Sequence, residues 1–319
     1  MKTLLLAACA ATLSLGTALA GGEGWTDDFE AAKKQAAAEN KDLLIDFTGS
    51  DWCGWCIKLN KEVFSHDVFK EGVEDKYVLV ELDFPKDKSK LTEETLKQNA
   101  KLKEVYQPKG FPTILLADPQ GKPYAKTGYQ PGGPEKYVAH LNELQESKVA
   151  RDEAFDAASK AEGVEKAKAL VAALGSMKLA DATLASSYSD TIEEIKAADP
   201  DDETGFVKKI ELKEKFAQFE TELNKYGQNG DRDAALKLVN ETLAEDEFGD
   251  PEKQQITFIK AMILAEKKQF DEALTTLDAA KAIAPDSKLG ARVDSFKEHI
   301  SKSQAESKAP KTEEKKDGE

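Results

Sequence analysis

The chain has 319 residues, 40% hydrophobic and 33% charged, the composition of a soluble, core-forming protein whose length suggests two domains. Sixty Asp and Glu against 45 Lys and Arg leave a formal charge of −15. That balance argues against nucleic acid or an anionic membrane surface as a partner, because phosphate binding needs a basic face. Met1-Lys2, the apolar stretch Leu4 to Leu19 and Ala18-Leu19-Ala20 before Gly21 read as a secretion signal over residues 1–20. Leu6-Ala7-Ala8-Cys9 matches a lipoprotein box but leaves three residues between it and Lys2, so lipid anchoring is not expected. Nothing after residue 20 approaches the run of about 18 apolar residues that a membrane span needs. The expected home is extracytoplasmic, a bacterial periplasm, where disulfides and their editors operate.

From residue 25 to 147 the pattern alternates helix and strand. Asp28 to Asn40 is rich in Ala, Lys and Glu and reads as a helix. Asp42 to Thr48 is an apolar run of strand length. Cys53-Gly54-Trp55-Cys56 follows it, at the start of a helix expected from Gly54 to about Phe64. Two thiols three residues apart at a helix start can form a reversible disulfide. The unpaired backbone N–H groups and macrodipole there favour the first thiol as thiolate. Thiolate is the attacking species in disulfide exchange, and the second thiol resolves the mixed disulfide. With Cys9 in the leader, Cys53 and Cys56 are the two cysteines of the mature chain. A structural zinc site would need two further ligands, and only His66, His140 and His299 remain, at unhelpful spacing. A purely structural bridge would close a four-residue loop and gain little chain entropy. The pair therefore reads first as a redox-active dithiol.

Tyr77 to Phe84 reads as a second strand, and Thr92 to Tyr106 as a helix with Thr92 and Thr95 as candidate caps. Pro112 to Leu116 is a third strand, Asp118-Pro119-Gln120-Gly121 a turn, and Lys122 to Thr127 its hairpin partner. Pro134 to Leu144 opens with a proline at a helix start. The order implies a small α/β domain with a mixed sheet.

Ile45-Asp46-Phe47, Trp52-Cys53-Gly54-Trp55-Cys56, Gly110-Phe111-Pro112-Thr113 and the late Gly128 resemble the thioredoxin fold in order and spacing. That resemblance implies an exposed nucleophile at Cys53, a buried resolving thiol at Cys56, and a buried acid, Asp46, that assists the resolving cysteine. It also implies a cis proline at Pro112 beside the dithiol, with the Phe111 backbone receiving an extended substrate. Trp52 and Trp55 are expected either to form an apolar rim for polypeptide or simply to pack the active-site loop. Three departures stand out: the Gly-Trp dipeptide, an inserted stretch of about residues 86–98, and Glu81 where thioredoxins usually carry a lysine. A second buried carboxylate there would raise the pKa of Asp46.

After Gln145 strand signals vanish. Helical runs are expected at 149–161, 164–174, 180–198, 205–226, 232–244, 251–266 and 270–283, broken by Gly and Pro. In Gln254 to Ser287 the positions of Ala261, Leu264, Phe270, Ala273, Leu277, Ala280 and Pro285 resemble a tetratricopeptide repeat. Ala167 and Ala235, in weaker echoes, lie 68 residues apart, twice the period of about 34. The alternative is a generic helical bundle with Ala at close packings. The expected domains are therefore a signal peptide (1–20), a thioredoxin-like α/β domain (25–147), an all-α helical-hairpin domain (148–301) and a disordered charged tail (302–319).

These readings imply an extracytoplasmic thiol–disulfide oxidoreductase acting on protein thiols and disulfides, with an upstream redox partner and a protein partner on the C-terminal helices. Reductase, oxidase and isomerase directions all stay open. No metal, nucleotide or flavin signature is present, so the dithiol is itself the redox group. The alternative is an interaction scaffold whose thioredoxin-like domain only docks partners.

Overall fold

The computed structural model describes residue 22 and residues 24–308. The expected leader, and the expected tail beyond residue 308, lie outside the described residues. Two compact units divide between Thr204 and Gly205.

The first unit is built on a five-stranded sheet, β1 (Trp25–Thr26), β2 (Asp42–Thr48), β3 (Tyr77–Asp83), β4 (Thr113–Ala117) and β5 (Pro123–Thr127). Its spatial order is β1-β3-β2-β4-β5; β1, β3 and β2 run parallel, and β4 and β5 are antiparallel additions. All seven residues of β2 and all seven of β3 are buried, as expected of central strands covered on both faces. Leu43, Ile45, Phe47, Val78, Val80 and Leu82 pack on one face against α1 (Phe29–Glu39) and α4 (Glu93–Tyr106). Strand alternation then sends Asp46, Thr48, Glu81 and Asp83 to the opposite face.

Local chemistry sets the helix ends. Asp28 Oδ1 accepts the Ala31 N–H at 2.9 Å, and α1 stops at Asn40 in the left-handed region. Thr92 Oγ1 caps α4 by accepting the Thr95 N–H at 3.1 Å. The helix that follows the cysteines runs as α2 (Gly54–Leu59) into a π-helical turn over Asn60–Phe64. A further short helix, α3 (Asp67–Val73), follows; the sequence pattern did not show it. It buries Phe69 and Val73, and a Cβ at its Gly72 would meet Val138 at 2.8 Å.

Helix α5 (Gly133–Ser159) is 27 residues long and runs unbroken through residue 147. The first compact unit continues through α6 (Gly163–Ser176), α7 (Asp181–Ser187) and α8 (Ser189–Ala198). The single helix expected over 180–198 is interrupted at Tyr188, whose hydroxyl turns inward to donate to Pro123 O at 2.8 Å. Lys178 exchanges backbone hydrogen bonds with the β5 edge, donating to Tyr124 O and accepting from Lys126 N–H. Thr183 Oγ1 donates to Tyr106 O at 2.7 Å. These bonds tie the helices after residue 147 to the sheet.

The second unit contains α9 (Phe206–Asn229), α10 (Arg232–Glu245), α11 (Asp250–Glu266), α12 (Phe270–Ile283) and α13 (Val293–Lys308), each packed on the next. Ala261, Leu264, Ala273, Leu277, Val293 and Ile300 share one core, and Gln254 Nε2 donates to Ala280 O and Ala284 O. Residues 302–308, expected to be disordered, are helical. Ile300 anchors α13 in that core and Gln304 Nε2 donates to Asp271 Oδ1 at 2.8 Å.

Arg151 is a buried cation with several partners in the first unit. Its buried guanidinium meets Asp118 Oδ2 at 3.0 Å, Asp152 Oδ1 at 2.7 Å and the Tyr188 hydroxyl at 3.0 Å. Removing it leaves the mostly buried Asp118 carboxylate without its guanidinium. Arg151→Ala is expected to cost about 3 kcal/mol, read as an earlier midpoint in denaturant unfolding of the full chain.

Candidate functional site

The site begins where β2 ends. Beyond Thr48 the chain turns at Gly49, whose carbonyl accepts the Cys53 N–H at 2.9 Å. A Cβ at Gly49 would lie 2.5 Å from the Trp52 indole, so glycine is required for that ring to cross the turn. Cys53 is the N-cap of α2, its Sγ accepting the Cys56 N–H at 3.2 Å, and the two cysteines are joined as a disulfide. The Cys56 N–H, at the open end of α2, thus already points at the sulfur that would carry charge on reduction.

Phe111–Pro112 is a cis peptide. The loop is held by Thr113 Oγ1 donating to Gly110 O at 2.7 Å. Gly128 packs behind it: a Cβ there would approach Pro112 O at 3.2 Å. The Trp52 ring stands edge-on to Phe111 at 5.7 Å, and its Nε1 donates to Phe84 O at 2.8 Å. Trp52, Phe111 and the cysteine pair's own helix are thereby brought into one constellation. Trp52 and Trp55 are exposed, at 42% and 57%, as a rim requires. Cys53, however, keeps only 6% of its surface against 5% for Cys56. The expected exposed nucleophile is covered in the disulfide form, because its sulfur is turned into the helix end and bonded to Cys56.

The sequence pattern missed several participants. Trp55 lies 5.1 Å from the Tyr129 ring, and the Lys58 ammonium stands over both, 5.1 and 4.9 Å from their centroids. Tyr129 donates to Glu62 Oε2 at 2.6 Å. Asp51, just before Trp52, accepts the Lys86 and Asp87 N–H groups and pairs with Lys90 Nζ at 3.1 Å. Its carboxyl is pulled down to about 2, first by the Lys86 N–H bond. Asp51 thus fastens the inserted stretch to the dithiol loop. Asp83 receives both the Ser50 N–H (2.8 Å) and the Ser50 hydroxyl (2.6 Å) from the same loop. The signal for Asp51 and Tyr129 was adjacency to Trp52 and Gly128; their partners are too distant in sequence to be read.

Asp46 is buried with 5% exposure, and its Oδ1 has no hydrogen-bond partner. Its carboxyl is pushed well above the usual range, first by burial, then by the charges of Glu81 and Asp83.

A parallel sheet with antiparallel additions, a dithiol at the N-terminus of the helix after its central strand and a cis proline entering β4, whose neighbour Phe111 meets Trp52, define the thioredoxin-like class. Residues 29–145 match the family model of a thioredoxin-like domain. The chain is 35% identical over 115 residues to the disulfide bond reductase DsbH of Chlamydia pneumoniae, covering 36% of this chain and 69% of that protein. It is 33% identical over 92 residues to the thioredoxin-related protein DsbJ of the same organism, spanning 29% of this chain and 26% of that one. This chain belongs to the thioredoxin-like family. Among solved structures it is similar to a DsbH oxidoreductase, with a TM-score of 0.36 and 28% identity, covering 44% of this chain and 93% of that one. The oxidised C-terminal domain of Neisseria meningitidis DsbD gives a TM-score of 0.26 at 14% identity, over 35% and 89% of the two chains.

The state of Asp46 has a measurable consequence. A carboxyl whose folded pKa is raised contributes stability below its unfolded pKa and loses it as pH rises through the folded value. Asp46→Asn keeps the shape and removes the titration. The variant is expected to melt with wild type near about pH 3 and increasingly above it toward about pH 8; parallel melting curves across that range would contradict this.

Proposed function

We propose that this chain is an extracytoplasmic thiol–disulfide oxidoreductase acting on protein thiols and disulfides through Cys53-Gly54-Trp55-Cys56. The observation that carries the reading is the Cys53–Cys56 disulfide with Cys53 as N-cap of α2. On reduction the Cys56 N–H and the helix macrodipole favour the Cys53 thiolate. That thiolate attacks a substrate sulfur, forming a mixed disulfide and releasing the other substrate sulfur as thiolate. Cys56 then attacks Cys53 Sγ; the Cys53–Cys56 bond re-forms and the second substrate sulfur leaves. Asp46 takes the Cys56 proton, and Trp52, Trp55, Phe111 and Pro112 line the substrate path. The electrons lost from the dithiol are restored by an upstream thiol donor.

The reductive direction is the one we favour, supported by the identity shared with a protein named as a disulfide bond reductase. Secretion is supported by the leader-like residues 1–20, and no helix of the described residues is long and apolar enough to cross a membrane. For α9–α13 we propose a tetratricopeptide-like partner module, supported by the small and large residues buried at repeat positions, among them Ala261, Ala273 and Leu277.

Equilibration of the full chain against glutathione, read by tryptophan fluorescence, tests the reading. A two-electron midpoint near about −270 mV is expected for a reductant, whereas about −180 to −120 mV would indicate an isomerase or oxidant. Cys53→Ser is expected to abolish disulfide reduction, while Cys56→Ser accumulates a mixed disulfide. Retained turnover in Cys53→Ser would remove the proposal.

A further inference from the structure

Two buried carboxyls stand side by side on β2 and β3, and the mechanism above uses only one. In the parallel β2–β3 ladder Asp46 is the direct register partner of Glu81. Both belong to the sheet face opposite the Phe29–Tyr106 core, since their strand neighbours Ile45, Phe47, Val80 and Leu82 fill that core. Exposure is 5% for Asp46 and 2% for Glu81. Neighbouring strands lie about 4.8 Å apart, so paired residues on one face are adjacent side chains. Two negative charges at that spacing in a water-poor site repel strongly, so one proton is retained between them.

The groups around the pair are of known charge. From β3, Asp83 adds a third carboxyl, held by the Ser50 N–H and hydroxyl. From α5, the buried Tyr137 phenol senses Asp46 and is itself pushed up, first by burial and then by that carboxyl. The β4 partner of Asp46 is the uncharged Ile114. From α2, Cys53 and Cys56 are uncharged as a disulfide. Asp46 Oδ1, lacking any hydrogen-bond partner, is a lone pair or a proton with nowhere else to go.

We propose that Asp46 and Glu81 act as one acid–base unit holding a single shared proton at neutral pH, with Glu81 the positioning residue that keeps Asp46 from ionising fully. The inference rests on the oxidoreductase reading for its purpose: a one-proton pair still has one basic site to accept the Cys56 proton during resolution. It does not rest on that reading for its test. Glu81 meets neither the substrate nor the sulfurs in this scheme; it acts through Asp46.

The test is a side-chain carboxyl 13C NMR titration of the oxidised full-length protein, in which the dithiol cannot titrate. In wild type the Asp46 carboxyl is expected to share its last proton with Glu81 and to complete its titration well above the ordinary carboxylate range. In Glu81→Gln, which keeps shape and burial, its midpoint is expected to fall by about one pH unit or more, with surface carboxyls unmoved. An Asp46 midpoint inside the ordinary range in wild type, or one unchanged by Glu81→Gln, overturns the proposal. If the variant folds poorly, the wild-type titration still decides the point: two carboxyls sharing a proton both report the same two macroscopic steps, and independent single midpoints for Asp46 and Glu81 overturn the proposal. Loss of disulfide-reducing activity with the titration intact would count against the function and leave the pair standing.

Discussion

The end of β2 is the fixed point from which the site hangs. As the central strand it is bonded to β3 on one side and β4 on the other, and it has no exposed residue with which to move. Its parallel neighbour β3 delivers Asp83 to hold Ser50, and the residue after β3, Phe84, receives the Trp52 indole. Its antiparallel neighbour β4 begins directly after the cis proline. Cys53 is therefore positioned by backbone hydrogen bonds and by two flanking strands rather than by the loop that carries it. A dithiol needs this, since attack and resolution require sulfur atoms to meet in line, and small displacements cost large factors in rate.

What could be read from the chain follows the range of the interactions. The cysteine pair, Pro112 and Gly128 are legible because each acts within a few residues or through a backbone conformation its own side chain dictates. The cap at Thr92 is legible for the same reason. α3 was not, because seven residues with only Phe69 and Val73 buried give too little periodicity to separate from a loop. The break at Tyr188 was invisible because its cause, a hydroxyl reaching Pro123 O and Arg151, lies more than thirty residues away. The covered state of Cys53 depends on the helix end it caps and the disulfide it forms, which spacing alone cannot show. The continuity of α5 through residue 147 was hidden by a change of composition that marks the end of strands, not the end of packing.

Polarity around the site is arranged against the overall charge. The chain is strongly acidic, yet the aromatic rim carries cations: Lys58 over Trp55 and Tyr129, and Lys103 5.6 Å from the centroid of Phe111. Each ammonium lies over ring faces, where the quadrupole is negative. The acids near the rim are engaged, Asp51 by the inserted stretch and Glu62 by Tyr129. The apolar rim is thus locally cationic although the chain as a whole is acidic.

Within β2 itself two acids are treated differently, and the contrast bears on which of them is functional. Asp42, at the strand's start, is buried at 6% exposure but receives the Tyr124 hydroxyl at 2.9 Å and Lys148 Nζ at 3.2 Å. Burial raises its carboxyl, and Lys148 opposes that rise. Asp46 lies four residues along, about 13 Å toward the dithiol, and its nearest charges are acids that add to the rise. Both positions incur the desolvation cost of a carboxyl in a sheet. Only at Asp42 does the structure supply the partners that offset it, in the region where α5 is fastened to the sheet. At Asp46 the cost is left standing, and such an uncompensated acid is a structural liability unless its proton is used. The start of the strand thus compensates its buried acid, and its end places a second one among further carboxyls.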